Sequence, residues 1–163
     1  MVIVSFGAIQ WRCKNPFAPG LDTSPAKSLC DPTTIEGLFR CVQAAYSFKD
    51  TTVYAPLLDD QFVFSYPDYE NGGIEITWGR DTELQSTFNL FQNAQRIDLI
   101  WNNIISESRD SAQYNVVRGF NLTVTLNPAE IFPISGYANM SFKQPSASSP
   151  AWKIVRWRDE SNF

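Results

Sequence analysis

A chain of 163 residues with 44% apolar residues is the size of one globular domain that can bury a core without metals or disulfides. Its net charge of -4 and its lack of clustered Lys and Arg argue against a nucleic-acid-binding surface. The chain contains no His, which excludes Ser-His and Cys-His catalysis and zinc sites that need imidazole, and we expect neither a metal ion nor a cofactor.

Residues 1–30 are predicted to form a poorly ordered leader. The apolar start "MVIVSFGAIQ" is too short to span a membrane, and the following "CKNPFAPGLDTSPAKS" resembles the start of a mature bacterial lipoprotein. Arg12 stands where a lipidation signal before Cys13 needs a small residue. An envelope lipoprotein and an ordinary disordered leader both stay open, with the bacterial envelope favoured over the cytoplasm.

The three cysteines, Cys13, Cys30 and Cys41, show no CxxC spacing. Cys41 is predicted to lie in the third turn of a helix that begins just after Cys30. That places the pair roughly 12 Å or more apart along the helix axis, against a limit of about 7 Å for a disulfide. We therefore expect no Cys30–Cys41 disulfide, and interpret Cys41 as a small core residue.

Helical signals dominate the next part of the chain. In "DPTTIEG", Thr33 precedes Glu36 by three residues, which predicts a capping box and a helix that continues to about Phe48. Asp50 is the predicted cap of a second, shorter helix in "TTVYAPLL", and Asp81 that of a third in "RDTELQSTFNLFQN". The apolar positions of the third helix are Leu84, Phe88 and Phe91.

The remaining segments alternate with a period of two. The first strand is "DDQFVFSYPDY", which places Phe62, Phe64 and Tyr66 on one face, and "ENGGIEITWG" reads as a turn followed by a short extended piece. The later strands are predicted in "RIDLIWNNIIS", "AQYNVVRGFNLTVTL", "ISGYANMSFKQ" and "AWKIVRWRD", with a turn at "NPAEIFP". This order predicts one α+β domain over residues 31–163, in which about three helices cover a strongly curved antiparallel sheet.

Two stretches carry a family resemblance. The opening "LFRCVQAAYSFKDTTVYAPLLDDQFVF" and the closing "WKIVRWRDE" resemble the nuclear transport factor 2-like superfamily, which includes ketosteroid isomerase-like and polyketide cyclase-like proteins. The resemblance covers roughly residues 32–160. It implies a cone with a pocket between helices and sheet, and a homodimer formed through the sheet. The catalytic His of dehydratase and cyclase members cannot exist here, so no catalytic residue is carried over.

Strand parity suggests candidate pocket residues. Arg118 shares a face with Tyr114, Val116 and Phe120, and Arg156 shares one with Trp152 and Ile154. A buried guanidinium needs a partner, for which Asp60 and Asp68 are candidates. The predicted ligand-binding residues are Phe64, Tyr66, Trp78, Phe88, Trp101, Arg118 and Arg156. The alternatives are structural: an ion pair or an edge position for the arginines, and core packing for the aromatic residues.

Asp159 has two interpretations: it is a general base if it is desolvated, and the partner of a nearby Arg at the rim if it is not.

The sequence supports three candidate functions. The leading one is a domain that binds a small amphipathic molecule, with an anionic group accepted by the arginines. The second is a lyase, isomerase or hydrolase that uses Tyr66 with Asp60 or Asp68, and the third is an envelope-tethered interaction module. The sequence leaves open whether the protein is an enzyme.

Overall fold

A computed structural model describes residues 29–110, 113–144, 146, 148 and 150–161. Within these residues, three helices and six strands follow the predicted α+β order. The helices are α1 (Ile35–Phe48), α2 (Thr51–Tyr54), which continues into a 3-10 turn (Ala55–Leu57), and α3 (Arg80–Asn93). The strands are β1 (Leu58–Asp68), β2 (Ile74–Gly79), β3 (Arg96–Arg109), β4 (Gln113–Asn127), β5 (Glu130–Lys143) and β6 (Lys153–Ser161). The predicted leader lies outside the described residues apart from Leu29 and Cys30.

The helix starts differ from the predicted caps at two of three positions. Thr34, not Thr33, caps α1 by accepting a hydrogen bond from the Gly37 amide at 2.9 Å. Asp50 caps α2 as predicted, accepting from the amides of the first turn. At α3 the cap residue is Gly79 and no side chain caps the helix, so the prediction for Asp81 was wrong.

Within the described part of the chain, no helix combines the length and apolar character needed to cross a membrane.

The six strands form one curved, unclosed sheet in the order β2-β1-β6-β5-β4-β3. All neighbouring pairs are antiparallel except β1 and β6, which run parallel, so the sheet is mixed rather than purely antiparallel. β5 begins at Glu130, inside the segment predicted as a turn. We call the helix-covered side of this sheet the concave face and the opposite side the outer face.

The concave face holds the core. Phe39 of α1 lies edge-on against Trp101 of β3 at 4.9 Å and against Phe142 of β5 at 5.5 Å, measured between ring centroids. Val116 and Phe120 of β4 are buried on the same side, as strand parity predicted. The ring contacts of Phe39 join α1 to β3 and β5.

A bulge in β6 overturns the parity predicted for Arg156. Ser141 and Phe142 are adjacent in β5, yet they pair with Arg156 and Ile154, which are two residues apart in β6. The extra residue, Val155, reverses the alternation beyond it. Ile154 and Trp157 are therefore both buried, and Arg156 is exposed.

The expectation that Cys30 and Cys41 stay unpaired was also wrong. The two form a disulfide with their Cα atoms 4.4 Å apart. The predicted separation assumed that the chain before α1 continues along the helix axis. It instead crosses the helix at Gly37, where a Cβ would lie 1.9 Å from the carbonyl oxygen of Asp31. Only a glycine permits this approach, which places Cys30 beside Cys41.

This disulfide predicts a measurable loss of stability on reduction. It closes a loop between residues 11 positions apart, for which the chain-entropy model gives about 3 kcal/mol. Urea unfolding of the wild type with and without dithiothreitol should show that loss. A Cys30→Ala/Cys41→Ala variant should be destabilised and insensitive to reductant, and equal stability of the oxidised and reduced wild type would contradict this account.

Candidate functional site

A cavity of about 470 Å³ opens at one end of the concave face, where β1, β2 and β6 meet. We call it the cone pocket. Its lining combines aromatic side chains, one proline and carboxylates: Phe64, Tyr66, Pro67, Asp68, Tyr69, Glu70, Trp78 and Asp159. Three of the residues predicted to bind a ligand, Phe64, Tyr66 and Trp78, are brought together here.

Strand pairing builds the aromatic wall. In the antiparallel register of β1 and β2, Phe64 lies directly opposite Trp78. Their rings are stacked with centroids 4.6 Å apart and planes inclined by 17°. Tyr66 meets Trp78 edge-on at 5.7 Å. Adjacent aromatic rings held in this way form a flat apolar surface suited to a planar ligand.

Asp159 contributes a carboxyl group to this pocket from β6. The β6 bulge places it inward, two residues beyond the buried Trp157. Burial raises the pKa of the Asp159 carboxyl, and the Ser161 hydroxyl and amide, of which the amide donates to Oδ1 at 2.9 Å, offset part of that rise. No ion pair among the described residues includes Asp159, because the neighbouring Arg158 pairs with Glu75 and Glu160 instead. The desolvated interpretation of Asp159 is therefore the one that the geometry favours.

A second carboxylate supports the aromatic wall from behind. Glu83 of α3 is 4% exposed and accepts hydrogen bonds from three side chains. Tyr54 and Thr87 donate to Oε1 at 2.8 Å and 3.1 Å, and the Trp78 indole donates to Oε2 at 2.8 Å. Trp78 thus has its ring orientation fixed by a buried acceptor. Burial and the nearby Glu83 also raise the pKa of Tyr46.

The prediction that Phe88 lies on the apolar face of α3 was wrong. Phe88 is 45% exposed, whereas Glu83, Thr87 and Phe91 are buried. These three share one face at four-residue spacing, so the inward side of α3 is partly polar. Sequence reasoning missed Glu83, and only its spacing with Thr87 and Phe91 could have indicated it.

Arg118 faces inward, but it does not line the cone pocket. It instead connects β4 to α1 and β3. Its Nη1 lies 2.7 Å from Glu36 Oε2, and its Nε donates to the Asn102 carbonyl at 2.8 Å. Its guanidinium also lies 4.7 Å from the centre of the Phe39 ring. Neither Asp60 nor Asp68, the predicted partners, is involved. The structural alternative, an ion pair, describes Arg118 better than an anion site.

Trp101 and Arg156 also lie away from the cone pocket. The Trp101 ring contacts Phe39, Phe120 and Trp157, and its indole donates to the Phe39 carbonyl at 2.9 Å. Arg156 lies on the outer face beyond the bulge. The residues predicted to bind a ligand are therefore divided among the cone pocket, the core and the surface.

Solved structures share this architecture at low sequence identity. A conserved protein from Planctomyces limnophilus is 17% identical with a TM-score of 0.66, over 78% of this chain and 93% of its own. The beta subunit of the benzoate 1,2-dioxygenase from Burkholderia mallei is 15% identical with a TM-score of 0.65, over 82% of this chain and 91% of its own. A protein of the nuclear transport factor 2-like family from Streptomyces avermitilis is 14% identical with a TM-score of 0.61, over 79% and 94%.

No protein-family model and no curated protein matches the chain. The structural likeness nevertheless confirms the resemblance inferred from the sequence at the level of fold. The chain has the nuclear transport factor 2-like fold, a curved sheet covered by helices on its concave face.

The Glu83 cluster yields a stability prediction. Glu83→Ala leaves the donors of Tyr54, Thr87 and Trp78 without their acceptor. The Tyr54 and Thr87 hydroxyls are buried and each costs about 1–3 kcal/mol when unsatisfied, whereas the half-buried Trp78 indole can bond to water, so we expect a loss of at least about 2 kcal/mol in urea unfolding. The control is Glu130→Ala, at an exposed position, which should change stability little. Equal stabilities of the two variants would contradict the role of Glu83.

Asp159 yields a prediction about pH. Because burial raises its pKa, the native state keeps a proton that the unfolded chain has already lost. Stability must then fall as the pH rises from the ordinary carboxyl range through the raised pKa of Asp159. Asp159→Asn can still accept from Ser161 but cannot ionise. Its free energy of unfolding should exceed that of the wild type by more at pH 7 than at pH 4, and a difference independent of pH would refute the raised pKa.

Proposed function

We propose that the protein binds a small, largely apolar molecule in the cone pocket. The observation that carries the proposal is the combination of a stacked aromatic wall with one desolvated carboxyl group in a cavity of about 470 Å³. Ligand pockets commonly unite an apolar lining with a few polar groups that fix orientation. Phe64, Tyr66 and Trp78 would contact the flat part of the ligand, and Asp159 its polar group.

The charges of the pocket argue for a neutral ligand rather than the anionic one first expected. The charged residues of its lining are Asp68, Glu70 and Asp159. Hydrogen bonds from Asn71 lower the pKa of Asp68, which therefore stays ionised at neutral pH. An anion would meet like charge at the mouth. A planar molecule with a hydroxyl or carbonyl group suits this lining better.

An enzymatic role is the second candidate, and Asp159 is the observation that favours it. A carboxyl group with a raised pKa can exchange a proton closer to neutral pH, as lyases and isomerases require. Tyr66, Asp68 and Asp159 line the same pocket, and Asp60 does not. Because the pKa of Asp68 is lowered by its hydrogen bonds from Asn71, the acid–base pair would be Tyr66 with Asp159 rather than with Asp60 or Asp68. Asp159→Asn would separate the two roles, since it should abolish turnover and retain binding.

The disulfide supports a location in an oxidising compartment. Disulfides form and persist mainly outside the cytosol. The proposal of an envelope-tethered domain is consistent with this bond, although Cys13 lies outside the described residues.

The homodimer through the sheet also remains a proposal, for which light scattering coupled to size-exclusion chromatography is the direct measurement.

Binding can be tested with matched planar probes. We expect 2-naphthol to bind, detected by calorimetry, and 2-naphthoate to bind about tenfold more weakly, because a carboxylate would face the acidic mouth at a cost of about 1.4 kcal/mol. Tyr66→Ala should weaken 2-naphthol binding, and the control Phe88→Ala, which removes an aromatic ring outside the pocket, should not.

Two further results decide the proposal. Native mass spectrometry of protein purified from cell extract should reveal a retained neutral ligand that the Tyr66→Ala variant loses. Failure of both naphthalene probes to bind, together with the absence of any retained mass, would overturn binding at the cone pocket. Preference for 2-naphthoate would overturn the electrostatic argument alone.

A further inference from the structure

The indole of Trp157 is a buried hydrogen-bond donor that the fold leaves unused. Trp157 is 6% exposed, and no described residue accepts a hydrogen bond from its Nε1. Two other indoles of the concave face have acceptors: that of Trp78 donates to Glu83, and that of Trp101 donates to the Phe39 carbonyl. A buried donor without an acceptor costs stability and is rare in folded proteins, so we expect a bound molecule to supply its partner.

Trp157 lies at the inner boundary of the cone pocket, next to two residues of the lining. In the parallel register of β1 and β6 it lies opposite Phe64, and the centroids of the two rings are 6.0 Å apart. Asp159 follows two residues later on the same face of β6, which places it about 6.6 Å further along the strand. The cavity that borders Trp157 on the side of Phe64 and Asp159 is the cone pocket.

An enclosed water is a poor substitute for the missing acceptor. A buried water usually makes about three hydrogen bonds to polar groups of the protein. The side chains beside Trp157 are those of Phe64, Trp101 and Met140, and the indole of Trp101 is already engaged. A water held on Nε1 would therefore lack most of its own partners.

We infer that Trp157 is a specificity-determining residue of the cone pocket, whose Nε1 donates to an uncharged acceptor at the edge of the bound molecule. This inference rests on the function proposed above and narrows its ligand class. The ligand is a planar ring system with a ring nitrogen or a carbonyl oxygen towards Trp157 and a hydroxyl group towards Asp159. Because an indole can only donate, the site discriminates against an analogue of the same shape that lacks the acceptor.

Two compounds of nearly identical shape test the inference. 6-Hydroxyquinoline differs from 2-naphthol by one ring nitrogen in place of a C–H group, and both are neutral at pH 7.5. We expect 6-hydroxyquinoline to bind the full chain about tenfold more tightly in calorimetry, because its nitrogen accepts from Trp157. Equal affinities for the two compounds would overturn the inference and leave the cone pocket as a binding site.

The ratio of the two affinities in variants assigns the effect to the indole N–H. Trp157→Phe keeps an aromatic ring but removes the donor, so the ratio should fall from about ten to about one. Any loss of packing weakens both compounds together and cancels in the ratio. The control is Trp101→Phe, which removes a neighbouring indole that donates to the Phe39 carbonyl and should keep the ratio near ten. A tenfold ratio retained in Trp157→Phe contradicts the assignment.

Nuclear magnetic resonance of the wild type keeps the test decisive if Trp157→Phe does not fold. The chain has five tryptophans, so its indole N–H signals are few enough to assign. The Trp157 indole proton should move further downfield with 6-hydroxyquinoline than with 2-naphthol, while that of Trp101 responds equally to both. An identical response of Trp157 to the two compounds overturns the inference alone. Failure of both compounds to bind overturns the cone pocket as their site, and the inference with it.

Discussion

The bulge in β6 is the constraint on which the candidate site depends. β6 lies between β1 and β5, and the extra residue Val155 lets Ile154 and Trp157 both enter the core. Without that residue, Trp157 and Asp159 would face outward and Arg156 would be buried among apolar side chains. One inserted residue in a central strand therefore decides whether the cone pocket carries a carboxyl group or a guanidinium.

The two inward carboxyl groups near the pocket differ in how the fold satisfies them. Glu83 receives three side-chain hydrogen bonds, which fix it as part of the frame and hold Trp78 in place. Asp159 interacts with Ser161, whose amide donates to Oδ1, and its carboxyl group lines the cavity. A buried charge with few partners costs stability, and such groups persist most often where a ligand or a reaction uses them.

The features of this molecule that depend on local sequence patterns were predicted better than those that depend on long-range geometry. Periodicity located the helices and the strands, although only the Asp50 cap was predicted correctly. The parity of β4 correctly placed Val116 and Phe120 inward because that strand has no bulge between them. The inward and outward positions predicted for β6 were wrong beyond Val155, because the residue pattern does not indicate a bulge. The disulfide was missed because the crossing at Gly37 depends on a tertiary approach, and Glu83 was missed because its donors come from three separate elements.

The parallel pairing of β1 with β6 has a consequence for how the chain folds. The two strands are separated by most of the domain, and β6 also forms the link between β1 and β5. The sheet therefore remains two unconnected parts, β1–β2 and β3–β4–β5, until the last strand is made. Such high contact order slows folding and leaves strand edges open during synthesis. A nascent chain would present the edge of β5 until residues 153–161 leave the ribosome and β6 can pair with it.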